Sequence, residues 1–420
     1  MYNVYINVNA VNKLRERGAK MNEKMLGLGS QRSVIREIFE YAKIRKKEIG
    51  AENVFDFSLG NPSVPSPECV RYELLSLVGE TDPVLLHGYT SAQGDASVRE
   101  AISSYIEESF NSSDIPVSAP SLIYLTSGAA AALSCSLSAI LSGDDEVIVL
   151  APFFPEYKVF IEHAGGKMVK IDCAEKTFRP DIDKIDAAIN EKTAAIIVNS
   201  PNNPSGVVYT ESDIRMLSQL LAKKSKELGR PIYLIADEPY RELVYTDTKV
   251  PYIPCFYDNT IVCYSLSKSL SLPGERIGYV SVSPRAAEAE RLYLAVCGAG
   301  RALGYVCATT MFQFLMKDCL GKTSDISAYK KNRDILCGAL SEYGYEFAKP
   351  DGAFYLFMKA LESDAASFAE KAKEFELLLV PSDDFGCKGY VRIAYCTSEK
   401  QIRDSLPAFK KLADAYKKKG

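Results

Sequence analysis

The sequence predicts an α/β protein: a large, mainly parallel sheet flanked by helices, with a smaller α+β part beside it. Three observations carry that prediction. Between Leu122 and Ser283, short apolar, β-branched runs alternate with longer stretches of helical periodicity, the signature of repeated βαβ units. Beyond Ser283 the apolar residues recur mainly at helical spacing as far as Glu342, and the remainder mixes short strands with helices. The chain of 420 residues, 47% hydrophobic and 25% charged, is long enough for more than one core and has the balance of a globular protein.

The elements follow in order. Gln31 to Ile49 shows helical spacing, then yields to the extended VFDFSLGNP and a stretch broken by Pro62, Pro65 and Pro67. Seven candidate strands come next: LIYLT, EVIVLAP, KMVKID, AAIIVNS, PIYLIAD, TIVCYSLS and RIGYVSVS. The last part contains a hairpin-like FAKPDGAFYLFMKA, a helix DAASFAEKAKEF, strands ELLLVP and YVRIAYC, and a closing amphipathic helix. The terminal KKKG reads as a solvated helix end. Residues 1–20 carry no reading, and Met21 offers an alternative start to the ordered part.

Composition excludes several function classes. A net charge of −4, from 50 basic and 54 acidic residues, gives no electrostatic reason to expect nucleic acid or an anionic membrane as partner. No apolar run approaches the roughly 20 residues of a membrane span, and the amino terminus lacks a compact secretory segment. The eleven cysteines are scattered without a CxxC pair, as expected of reduced thiols in a cytoplasmic protein. With only His87 and His163 to add, no metal site is expected, and both histidines read as structural.

In open α/β sheets, ligands bind beyond the carboxyl ends of the strands, so the residues that follow each run matter most. Those residues are Ser127 and Gly128, then Phe153 and Phe154, then Asn202 and Asn203, then Asp237, and then Lys268. TSGAAAALSCSLSAILSG opens a helix straight after a strand, and its small side chains would let backbone amides approach a phosphate, or simply permit close packing. Lys268 has Ser265 three residues before it and Arg276 eight after, a hydroxyl and a guanidinium fork suited to a phosphate beside a reactive amine. Lysine amines form Schiff bases with carbonyls, and burial or nearby cations make them nucleophilic. Asp237 follows an apolar strand, where a carboxylate wants a cation such as a protonated pyridine ring; the alternative is a helix N-cap. Tyr240, three residues on, is placed to donate to a phenolate oxygen on the same ring.

NSPNNPSG (199–206), ADEPY (236–240), SLSKSLSLPGERIGY (265–279) and YVRIAY (390–395) together resemble the pyridoxal-phosphate-dependent aminotransferases of class I and II, of fold type I and similar to aspartate aminotransferase. The resemblance runs from about Phe55 to Lys410. It implies residues 1–75 as an N-terminal arm and part of a small domain, 76–305 as the large cofactor-binding domain, and 306–420 as the small C-terminal domain. It also implies roles. Lys268 would carry pyridoxal 5′-phosphate and move the proton between the substrate α carbon and the cofactor C4′. Asp237 would pair with the ring nitrogen, Asn203 and Tyr240 with the 3′ oxygen, and Phe154 would stack on the ring. The phosphate would sit among the amides of Gly128, Ala129 and Ala130, with Ser265, Arg276 and Tyr89 of a neighbouring subunit in a homodimer. Ala129 and Ala130 stand where many relatives place a polar side chain, so looser cofactor binding is expected. Arg392 would clamp the substrate α-carboxylate, helped by Gly60 and Asn203, and Arg301 would bind a distal carboxylate across the dimer.

The implied function is a ping-pong aminotransferase, with aspartate or glutamate as favoured donor, aromatic amino acids next, and 2-oxoglutarate as acceptor. A C–S β-lyase or a cyclopropane-carboxylate synthase would use the same cofactor chemistry. A regulatory module that keeps the cofactor without turnover is the remaining class, disfavoured by the acidic charge and the short leading segment.

Overall fold

The computed structural model describes residues 21–30 and 33–417. The segment 1–20, Gln31 and the last three residues of the KKKG tail, about which the sequence raised expectations, lie outside the described residues. The leading part holds α1 (Glu23–Ser30), α2 (Val34–Ile49), β1 (Phe55–Asp56), α3 (Glu68–Glu80), α4 (Pro83–His87) and α5 (Ala96–Phe110). There follow β2 (Ile123–Thr126), α6 (Ala129–Ile140), β3 (Glu146–Ala151), α7 (Glu156–His163), β4 (Lys167–Asp172), α8 (Ile182–Ala188), β5 (Thr193–Asn199), α9 (Glu211–Leu228) and β6 (Tyr233–Asp237). Then come β7 (Thr260–Ser265), α10 (Leu266–Ser269), β8 (Gly278–Val282), α11 (Ala289–Ala302), α12 (Thr310–Cys319) and α13 (Ile326–Tyr343). The chain closes with β9 (Tyr355–Lys359), α14 (Ala365–Lys373), β10 (Leu377–Leu378), β11 (Val380–Pro381), β12 (Tyr390–Ala394) and α15 (Glu399–Lys417).

All seven expected strands join one sheet in the order β2-β8-β7-β6-β5-β3-β4. Except in the edge strand β4, whose residues are exposed or half-buried, their apolar runs are continuous because both faces are covered. Along β3, Ile148 and Leu150 pack into one core while Val147, Val149 and Ala151 pack into another, and β7 divides Val262 and Tyr264 from Ile261 and Cys263 in the same way. One strand departs from parallel. β8 runs antiparallel to both β2 and β7. The return from β7, residues 266–277 with α10, brings β8 back beside β7 in the opposite direction. The return is closed by the pairing of Ser265 with Gly278.

A third core lies under a smaller antiparallel sheet, β11-β12-β9, and a parallel pair, β1 with β10. ELLLVP therefore supplies strands to two different sheets, and the hairpin expected in FAKPDGAFYLFMKA closes through the Phe347–Met358 bridge. Chain order alone does not place β1 here, because its partner Leu377 lies more than 300 residues away. The leading helix α2 is tied to this part by Arg45 with Glu376 at 2.6 Å and Lys46 with Asp56 at 2.7 Å. Among the described residues no helix is long and apolar enough to cross a membrane, and no cluster of side chains could hold a metal ion. His87 and His163 are exposed at the ends of α4 and α7.

Candidate active site

The carboxyl ends of β5, β6 and β7 open on a cavity of about 340 Å³. Gly60, Ala129, Ala130, Phe154, Asn203, Asp237, Tyr240, Ser265, Lys268, Arg276 and Arg392 all line it. A larger cavity of about 860 Å³, between α13 and the β9 hairpin, contains none of the residues singled out above.

Lys268 sits on the single turn α10, directly after β7, and its Nζ donates to Gly60 O at 2.8 Å. Burial pushes the amine down to about 8, assisted by the cations Arg392 and Arg276 and opposed by the Cys396 thiol. An amine in this range is largely free base in mildly alkaline solution, the form that attacks a carbonyl.

Asp237 ends β6 and is no N-cap. Its Oδ2 accepts from Tyr157 Oη at 2.5 Å and from Asn199 Nδ2 at 3.4 Å, while Oδ1 is buried without a partner among the described residues. Burial pushes the carboxyl up to about 7, with the Tyr157 hydrogen bond opposing and the neighbouring Glu238 charge adding to the rise. An orphaned, buried acceptor beside a reactive lysine fits a protonated ring nitrogen. A prediction follows for the cofactor-free protein. Its Asp237 keeps its proton up to about pH 7, whereas an unfolded aspartate loses it near pH 4. The folded state then binds more protons in that window, so this group makes stability fall as pH rises from about 4 to 7. Asp237→Asn should remove that part of the decline in thermal midpoint; identical slopes in the two proteins would discount the orphaned carboxyl.

Arg392 of β12 is 2% exposed. Its Nη1 donates to Asn203 Oδ1 at 3.2 Å, Nη2 donates to Ser58 O at 2.6 Å, and Nε has no acceptor. The guanidinium lies over the rings of Tyr355 and Phe385, at 4.8 and 5.1 Å from their centres. A stacked fork with a spare donor suits a carboxylate, and a lysine cannot reproduce it. Arg392→Lys should lower kcat/KM for every amino donor by about 10- to 100-fold, the worth of one or two charge-assisted hydrogen bonds. Steady-state kinetics with several donors would check it, and a loss confined to one donor would contradict the assignment.

The end of the cavity at the start of α6 has a specific construction. Gly128 stands at φ +84°, and a Cβ there would lie 2.7 Å from Arg276 Nη2. Only glycine accommodates both the backbone and the guanidinium. Gly278 is constrained by space alone, because a Cβ there would collide with the Tyr264 carbonyl oxygen and press on the Gly128 backbone at 3.1 Å. The Gly128 amide itself donates to Thr126 O at 2.8 Å, so the open amides at this end of α6 are those of its first turn, beginning with Ala129 and Ala130. Arg276, at φ +54°, is fixed by its bond to Pro273 O at 2.9 Å.

Two expected residues stand apart. Tyr89 is 97% exposed and Arg301 is exposed on the last turn of α11; neither lines the cavity within one chain. Conversely, sequence reasoning missed Tyr157, Asn199 and Tyr355. Tyr355 lines the cavity, and its hydroxyl lies 3.1 Å from that of Tyr240. Asn199 donates to Asp237 O at 2.8 Å and accepts from the Asn203 amide at 2.7 Å, which binds the ends of two motifs together. Its place as the last residue of a strand was the available signal.

The aminotransferase class I and II family model matches residues 52–409. The chain belongs to this family. The enzyme is thus a transaminase of a group whose members use pyridoxal phosphate. Its relatives include an aspartate aminotransferase of Thermotoga maritima, 30% identical over 361 residues that cover 84% of this chain and 90% of the relative. An aromatic-amino-acid aminotransferase of Thermococcus litoralis is 26% identical over 396 residues, 90% of this chain and 95% of the other. Among solved structures, an aminotransferase of Eubacterium rectale superposes with a TM-score of 0.92 at 53% identity, covering 95% of this chain and all of the other.

Proposed function

We propose that this aminotransferase binds pyridoxal 5′-phosphate in the 340 Å³ cavity and moves the amino group of an L-amino acid to a 2-oxo acid by a ping-pong cycle. Aspartate or glutamate is the favoured donor, aromatic amino acids come next, and 2-oxoglutarate is the acceptor. The observation that carries the reading is the convergence of the depressed amine of Lys268, the orphaned Asp237 Oδ1 and the stacked Arg392 on one cavity.

When bound, the cofactor supplies a reactive carbonyl carbon and an electron-withdrawing ring. The chain's residues supply the rest. Lys268 would hold it covalently, and its amine is the base placed to move a proton at the substrate α carbon. Asp237 would pair with the ring nitrogen, and Tyr157 and Asn199 orient that carboxylate. Asn203 and Tyr240 would donate to the 3′ oxygen, and Phe154 would cover the ring. Ser265, Arg276 and the first amides of α6 would hold the phosphate. Arg392 would fix the substrate α-carboxylate, with Gly60 and Asn203 beside it, in the cavity that Lys268 also lines.

A homodimer completes the proposal, with Tyr89 reaching the partner's phosphate. Its support is the exposure of Leu75, Val78, Val84 and Leu85, apolar side chains on α3 and α4 next to Tyr89. The test of the whole reading is the visible absorbance of the holoprotein mixed with single amino acids. Loss of the cofactor band with stoichiometric 2-oxo acid is expected. Steady release of pyruvate and ammonia with the band retained would make the enzyme a lyase instead.

A further inference from the structure

We infer that Arg36, on the first turn of α2, selects the distal carboxylate of a dicarboxylic donor, in place of Arg301. The inference rests on the aminotransferase reading of the cavity. Ser33, Ile35 and Arg36 line the same cavity as Lys268 and Arg392, so the start of α2 forms part of its wall. Ser33 caps this helix by accepting from the Arg36 amide at 3.4 Å, and the ion pairs of Arg45 and Lys46 anchor its later turns to the small sheet. The first turn is therefore held in position.

Arg36 differs from the arginine two turns further on. Arg45 is paired with Glu376 and Glu48, whereas no carboxylate lies within 4 Å of the Arg36 guanidinium among the described residues. Among the described residues it is an unpaired cation, at a cavity that Ile35, Leu59, Leu133 and Phe154 also line, together with the polar Ser33 and Glu156. The α-carboxylate belongs to the deeply buried Arg392, while Arg36 is exposed. A short side chain leading from the first toward solvent and ending in a second carboxylate has Arg36 as its available fork. The amino end of a 16-residue helix adds a favourable field for an anion. Within one chain Arg301 does not line this cavity, whereas Arg36 does.

One group opposes the selection. Glu156, the first residue of α7, lines the same cavity and has no cationic partner within 4 Å among the described residues. Its charge repels a distal carboxylate, so the two side chains set the preference between them.

The experiment compares holoenzymes by the ratio of kcat/KM for aspartate to kcat/KM for phenylalanine. Arg36→Met should lower this ratio at least about tenfold, the worth of one lost charge-assisted pair, mainly through KM for aspartate. Arg36→Lys should keep part of it, and Glu156→Gln should raise it. A ratio that stays within twofold in Arg36→Met, or a loss that appears in Arg301→Met instead, overturns the inference, as does a wild-type enzyme that does not turn over dicarboxylates. If the wild type transaminates other donors, only Arg36 falls. If no amino acid alters the cofactor absorbance, the reading of the cavity falls with it.

Discussion

Replacement of Lys268 by alanine is expected to lower kcat by at least about 10⁴-fold. Positioned proton transfer alone contributes about 10²- to 10⁴-fold, and this lysine is assigned a covalent role as well. No other amine lines the cavity to take over: the remaining cations there are Arg36, Arg276 and Arg392, and guanidinium groups keep their protons. Among the described residues the side chain's one hydrogen bond is to Gly60 O, so alanine removes little that holds the fold. The purified variant should fold, bind cofactor without the wild-type absorbance, and fail to release 2-oxo acid beyond one equivalent. Sustained multiple turnover would contradict the assignment.

The second large effect is expected at Asp237. Removing one partner of a buried charge pair costs about 3–5 kcal/mol, which corresponds to roughly 10²- to 5 × 10³-fold in rate if the pair matters most when charge moves into the ring. Asp237→Ala and Asp237→Asn should both show a loss of that size in kcat, because the amide cannot hold a proton on the ring nitrogen. Tyr157→Phe should act in the same direction and more weakly. Its hydroxyl is what lowers the Asp237 carboxyl against the pull of burial, so the variant should shift the acid limb of the kcat profile upward in pH. An Asp237→Asn enzyme within tenfold of wild type would refute the pairing.

Much of this site is written in consecutive residues. Lys268, Asp237 and Asn203 could be read because each follows an apolar strand, and a doubly wound sheet gathers such positions at one edge. Arg276 was legible for a different reason: the return between β7 and β8 is short enough that its neighbours in sequence remain neighbours in space. Tyr157 and Tyr355 were not legible. Tyr157 reaches Asp237 across 80 residues, and Tyr355 reaches Tyr240 across 115, contacts that depend on how helices and the second sheet seat against the first. The direction of β8 was hidden too, since an apolar run buried on both faces reads alike whichever way it points. Tyr89 and Arg301 illustrate the converse. Resemblance alone brought them to notice, and in a single chain both face outward.

The reversed strand also insulates the lysine. In a parallel sheet the position of a residue after a strand depends on the crossover that follows, and so on the length and seating of a helix. Here the segment that bears Lys268 runs between two paired strand ends, Ser265 opposite Gly278, with the Leu266 amide donating to Ile277 O at 3.3 Å. Insertions or deletions in the crossovers between other strands leave that segment unchanged, which gives the protein freedom to vary most of its perimeter. A single residue added between 265 and 278 has no such latitude, because the register of the ladder fixes both ends and the lysine itself must move.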